Sequence, residues 1–153
     1  MAFILPTSTL AKDYAHVCAN DPALDDAAED FDEKLRIYIE TGDPSMLPVK
    51  PGQEPTEWTL RHLSEIERRK LLEVVKREGG QVGQASLYMA CQMGLKGSDI
   101  RDAGGKRVHV EHVRDDDGHF YVSHAFMDVL AKAGVIDSIG LRVIKEAFPA
   151  KKS

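Results

Sequence analysis

Apolar positions divide this chain into stretches of different period. Leu24, Ala27/Ala28, Phe31, Leu35 and Tyr38/Ile39 recur at steps of three and four, which predicts one amphipathic helix from Asp21–Pro22 to Gly42. Asp21 suits an N-cap and Pro22 the first helical position. Asp25, Asp26, Glu29 and Asp30 precede Lys34 and Arg36, the order a helix dipole favours. At Trp58–Leu63 the period drops to two, predicting a half-buried strand. Ser64-x-x-Glu67 then spells a capping box, and Ile66, Leu71, Leu72 and Val75 form the apolar stripe of a helix that Gly79–Gly80 closes.

From Gly79 to Leu95 there is no Asp, Glu, Lys or Arg, in a chain that is 29% charged. A helix here, with Ala85, Leu87, Tyr88, Met89, Ala90, Cys91 and Met93, has hardly any polar face and belongs inside the fold. Gly94, Gly97 and Gly104–Gly105 predict a turn region. Val108 and Val110 alternate with polar residues, Asp115–Gly118 makes a turn and Phe120–Val122 returns, so a β-hairpin is expected. Ser123 can cap a helix with Phe126, Met127, Leu130 and Ala133 inward, ended by Gly134. Asp137 or Ser138 can cap a last helix with Leu141, Ile144 and Phe148 inward, stopped by Pro149.

The fold class these elements predict is α+β, a mostly helical domain over residues 57–149 with one short strand and a β-hairpin. Before it come an N-terminal arm (1–20), the acidic amphipathic helix (21–42) and a linker (43–56) carrying Pro44, Pro48, Pro51 and Pro55; a basic tail (150–153) follows. The arm starts with the apolar Phe3–Ile4–Leu5 and offers Leu10, Tyr14 and Val17 at helical spacing, suited either to tucking onto its own domain or to docking on a neighbour. A proline-rich spacer is semi-extended, so the acidic helix is expected at a set distance from the rest.

Length and charge narrow the function. With 153 residues the chain can bury a core without disulfide or metal staples. A net charge of −5 argues against a duplex nucleic-acid binder. Cys18 and Cys91 form no CxxC pair, and the apolar start stops at Pro6, so a reduced, cytoplasmic protein is expected.

Candidate chemistry concentrates in the hairpin, where His109, His112, His119 and His124 lie close to Glu111 and Asp115–Asp117. If a metal were held, His109, His112, His119 and Asp117 are the candidate ligands. The expectation is none, because His109 and His112 stand three apart in a strand and face opposite sides. The acidic turn does not fit a calcium loop: with Gly118 at the loop's sixth position, Val113 falls first and His124 twelfth. No GxSxG, GxGxxG or GxxxxGK[ST] occurs, so neither an enzyme nor a cofactor is expected. Trp58 reads as a core anchor before a binding hot spot.

The strand Trp58-Thr59-Leu60-Arg61-x-Leu63 leading into Ser64-x-x-Glu67, Gly94–Leu95 after the uncharged helix, the Asp102-x-x-Gly105 turn and the closing helices around Leu130, Ile139–Gly140 and Ile144 resemble small structural-module proteins of tailed bacteriophages, tail-assembly or virion-associated components. The resemblance covers roughly residues 56–148, and the His/Asp hairpin departs from it. It implies a non-enzymatic protein of the tail or head-tail region, present in the host cytoplasm during assembly and in the virion if incorporated. Its partners would be other virion or assembly proteins and further copies of itself, with neither membrane nor nucleic acid involved. Phe3, Ile4, Leu5, Tyr14, Phe31, Leu35 and Trp58 are the candidate partner-binding residues. Two other classes stay open: a small metal-dependent enzyme built on the hairpin, and an acidic inhibitor or regulator presenting Asp21–Glu33 to a basic surface of a host protein.

Overall fold

The computed structural model describes residues 12–149. Among them are five α-helices and two small antiparallel sheets, so the protein is α+β and mostly helical. In chain order these are β1 (Tyr14–His16), α1 (Phe31–Thr41), β2 (Trp58–Leu60), α2 (Glu65–Arg77), α3 (Gln84–Gly94), β3 (Leu95–Ser98), β4 (His112–Arg114), β5 (Phe120–Val122), α4 (His124–Ala133) and α5 (Ile136–Ala147). One sheet has the order β1-β2-β3, and β4-β5 is the expected hairpin. Among the described residues, no helix is long and apolar enough to cross a membrane.

The uncharged helix lies at the centre, as its composition predicts. Ala90, Cys91 and Met93 of α3 are buried together with Trp58, Leu60, Leu71, Val122, Met127, Leu130, Ile139 and Val143. Helices α3 and α5 approach so closely that a Cβ on Gly140 would stand 2.3 Å from the Leu87 carbonyl oxygen. This approach rotates α5 from the expected stripe: Ile139, Val143 and Ile144 go inward, while Leu141 and Phe148 remain exposed. Helix α2 turns likewise, hiding Glu67 and Leu71 and leaving Ile66 and Leu72 exposed. Its capping box is formed, with Glu67 N–H donating to Ser64 Oγ at 3.2 Å and Ser64 N–H to Glu67 Oε1 at 3.0 Å.

The front of the chain differs most from expectation. Residues 14–16 form a strand, not part of a helix: Tyr14 pairs with Leu60 and His16 with Trp58. Just after it, Cys18 joins the main core and Val17 a second cluster. The helix expected over 21–42 begins only at Phe31. Aspartates cause the delay by bonding backbone N–H groups outside any helix in place of capping one. Asp21 Oδ1 accepts from Ala23 N–H at 2.9 Å and its Oδ2 from Thr56 N–H at 2.7 Å, while Asp25 Oδ1 accepts from Ala27 N–H at 3.2 Å.

The proline-rich stretch is no free spacer. Pro44–Met46 makes a 3-10 turn, Leu24 bridges to Val49, and Lys50 N–H donates to the Ala23 carbonyl at 2.8 Å. Leu47 is therefore buried with Val17, Leu24 and Tyr38, a small second core under α1. The glycine-rich region after α3 is also more ordered than expected, because Leu95–Ser98 completes the three-stranded sheet.

Candidate functional site

A groove of about 540 Å³ runs between β3 and the hairpin, lined by Arg61, Leu95, Lys96, His112, Gly118, His119 and Phe120. The sheet order leaves β3 as an edge strand, so one side of it faces this groove. His112 ties the two walls together, its Nε2 lying 2.9 Å from the Leu95 carbonyl oxygen. Phe120 is 56% exposed, a large ring left on the surface with the Arg114 guanidinium 5.0 Å from its centroid. The basic residues on the wall are already paired. Arg61 grips Glu67 through both terminal nitrogens, and Lys96 is bonded to Asp13.

The hairpin turn holds the ionisable cluster. Gly118, at φ +83°, lets the chain reverse, and Asp115 N–H donates to the His119 carbonyl at 2.9 Å. Oxygen atoms of Asp115 and Asp117 and a ring nitrogen of His119 lie within 4.8 Å of one another. These are the residues that could hold a divalent cation. Part of their capacity is already used, since Asp115 Oδ1 accepts from His119 N–H at 2.8 Å and Lys70 Nζ stands 3.2 Å from Asp117 Oδ2. Although desolvation opposes it, the His119 N–H holds the Asp115 carboxyl below its ordinary value.

The residues singled out in the sequence disperse. Asp117 and His119 do come together, joined by Asp115, but His112 turns to the Leu95 carbonyl and His109 is exposed without joining the cluster. The register explains the dispersal: His112 pairs with Val122 rather than with residue 119. Trp58, at 2% exposure, is core and offers no surface. Tyr14 is half-buried against the His62 ring, and Phe31 and Leu35 pack on the second core. Phe3, Ile4 and Leu5 lie outside the described residues. Sequence reasoning missed Leu95, Lys96 and Phe120 as groove walls, because a four-residue strand containing glycine carries almost no periodic signal.

Compared with protein-family models, with curated proteins and with solved structures, the chain finds no match in any of the three.

Proposed function

We propose that this chain works by contact rather than by catalysis, as a structural or assembly protein of a tailed-phage virion. Its neighbours would dock in the groove between β3 and the hairpin. The observation that carries the contact reading is Phe120, a ring 56% exposed beside the edge strand β3 and a groove of about 540 Å³. Aromatic anchors of this kind dominate interface energetics. The virion assignment leans on the resemblance carried by Trp58–Glu67 and Gly94–Leu95. The acidic-inhibitor reading has less to draw on, because the carboxylates of Asp21 and Asp25 already accept from the backbone N–H groups of Ala23, Thr56 and Ala27.

The test measures mass in solution and cross-linking to the products of neighbouring genes, for the full chain and for Phe120→Asp. Association that the exposed-site substitution abolishes, with the circular dichroism spectrum unchanged, supports the reading. A monomer that binds none of those products would sink it.

A further inference from the structure

The chain joins its first strand beside the groove. Tyr14 pairs with Leu60, so the same register carried one residue further sets Asp13 level with Arg61. The Asp13 carboxylate is also bonded to Lys96 Nζ. Arg61 and Lys96 both line the groove between β3 and the hairpin. Residues 1–11, which lie outside the described residues, are therefore attached at this wall. From Lys12 the seven residues back to Leu5 reach at most about 25 Å when extended, and the two back to Leu10 about 7 Å.

Segment and groove also match in character. Residues 1–11 hold no Asp, Glu, Lys or Arg and include Phe3, Ile4, Leu5 and Leu10, in a chain that is 29% charged. On the groove both cations are neutralised in place, Arg61 by Glu67 and Lys96 by Asp13. What the groove presents is mostly apolar: the exposed Phe120 ring and the aliphatic stems of Arg61 and Lys96, with His112 and His119 half-buried beside them. A charged segment would gain little there, whereas an uncharged apolar one takes the Phe120 ring out of water. Its volume of about 540 Å³ is ample for the Phe3, Ile4 and Leu5 side chains, since pockets of ~300–1,000 Å³ enclose drug-sized bodies.

We propose that Phe3, Ile4 and Leu5 of the same chain dock in this groove and cover Phe120, so that the arm holds the site a partner would use. What the covering regulates rests on the contact reading above; the covering itself does not. A short flexible tether puts such a segment at an effective concentration on the order of 1 mM. A contact with a Kd of about 1 mM therefore covers half the grooves and weakens a partner's apparent affinity about twofold, and a tighter contact weakens it further.

The test places a benzophenone side chain at position 3 of the full chain, irradiates it at low micromolar concentration and maps the cross-links by mass spectrometry. A product of single-chain mass joining position 3 to Lys96 or to residues 118–120 is expected, with Phe120→Asp lowering its yield several-fold. A product of twice the chain mass would assign the groove to the arm of a second copy. That result, cross-links confined to other parts of the fold, or a yield that Phe120→Asp leaves unchanged would each overturn the proposal. In a second measurement Phe3→Ser/Ile4→Ser/Leu5→Ser should bind the products of neighbouring genes about twofold or more tighter than the parent. The two readings fail separately. Products bound through Phe120 with no single-chain cross-link would sink the covering and keep the contact reading, while a single-chain cross-link with no product bound would do the reverse.

Discussion

The Arg61–Glu67 pair offers a quantitative test of how this fold carries a buried charge. Glu67 has a side-chain exposure of 1% and accepts from Arg61 Nη1 at 2.8 Å and Nη2 at 2.6 Å, while the Arg61 side chain keeps 26% of its surface in solvent. The two partners are therefore unequal. Removing Glu67 leaves an arginine that water can still reach, whereas removing Arg61 leaves a carboxylate deep in protein with only its helix-cap bonds. Breaking a buried pair from that side costs about 3–5 kcal/mol, and the partial exposure of Arg61 brings the expectation for Arg61→Leu to about 2–3 kcal/mol. Glu67→Gln, which preserves the shape of the capping box, should cost about 1 kcal/mol. At ~2–4 °C per kcal/mol for a chain of this size, Arg61→Leu should melt about 5–10 °C below the parent.

The pH dependence should also reverse. In the parent, burial alone would raise the Glu67 carboxyl, but the Arg61 guanidinium and the Ser64 backbone outweigh it and hold the pKa below its ordinary value. That stabilisation is present above the unfolded-state pKa and is lost as pH falls through the folded one. In Arg61→Leu burial is opposed only by the bonds to Ser64, so the penalty should shrink as the medium is acidified toward the ordinary glutamate range. Urea unfolding followed by circular dichroism at several pH values, on both single variants and the double variant, measures all of this. Equal costs for the two single changes, or a double variant that costs their sum, would refute the reasoning.

Three further outcomes are expected. Gly140→Ala should destabilise by about 1–3 kcal/mol, because the new methyl would stand 2.3 Å from the Leu87 carbonyl oxygen; the gain of helix propensity alone would have stabilised, so a raised melting temperature contradicts the close α3–α5 approach. His16 is held neutral, since burial and then Arg142 push its pKa down to about 4. Between there and the ordinary value of ~6.5 the unfolded chain binds the extra proton, so stability should rise with pH across that window by on the order of 3 kcal/mol, and His16→Gln should flatten the slope. Deleting residues 1–56 strips β1 from β2 and uncovers Trp58 and Leu60, buried to 2% and 0% exposure. The remaining fragment should lose its cooperative urea transition, and a fragment that unfolds as sharply as the full chain would show that the front is dispensable.

The elements that were legible in the sequence are those whose signals are local. Ser64 and Glu67 sit three apart and satisfy each other, so four letters suffice to place the start of α2. The absence of charge from 79 to 95 places α3 at the centre because no other environment accepts such a surface. Helical spacing at Leu24, Phe31 and Leu35 was misleading for a physical reason: Asp21 and Asp25 bond their own turns, and Leu24 pairs with Val49 across the proline-rich stretch. Periodicity cannot report a partner 25 residues away. The stripes of α2 and α5 are displaced for a related reason, since a salt bridge to Arg61, just after β2, draws Glu67 inward and a glycine contact with α3 sets the rotation of α5.

The sites illustrate the same limit more sharply. Asp117 and His119 could be paired from the sequence because one turn holds both, yet the groove and the contact between β1 and α5 are assembled from distant segments. His16 meets Ser138 across 122 residues, whereas the sequence offers Asp137 or Ser138 as a helix cap because such residues before an apolar run so often serve as one. The structure starts α5 at Ile136 with Val135 as its cap and gives the serine to a histidine on β1. The strand that carries Tyr14 and His16 is an edge of the main sheet, and the residue after it, Val17, belongs to the second core. Through His16, bonded to Ser138, and Val17, packed with Leu35 in the second core, β1 thus joins α5 to α1. Ser138→Ala, which cuts the His16 bond, should therefore speed hydrogen exchange of the β1 and α1 amides more than that of β4 and β5, and equal changes in all four elements would refute the link.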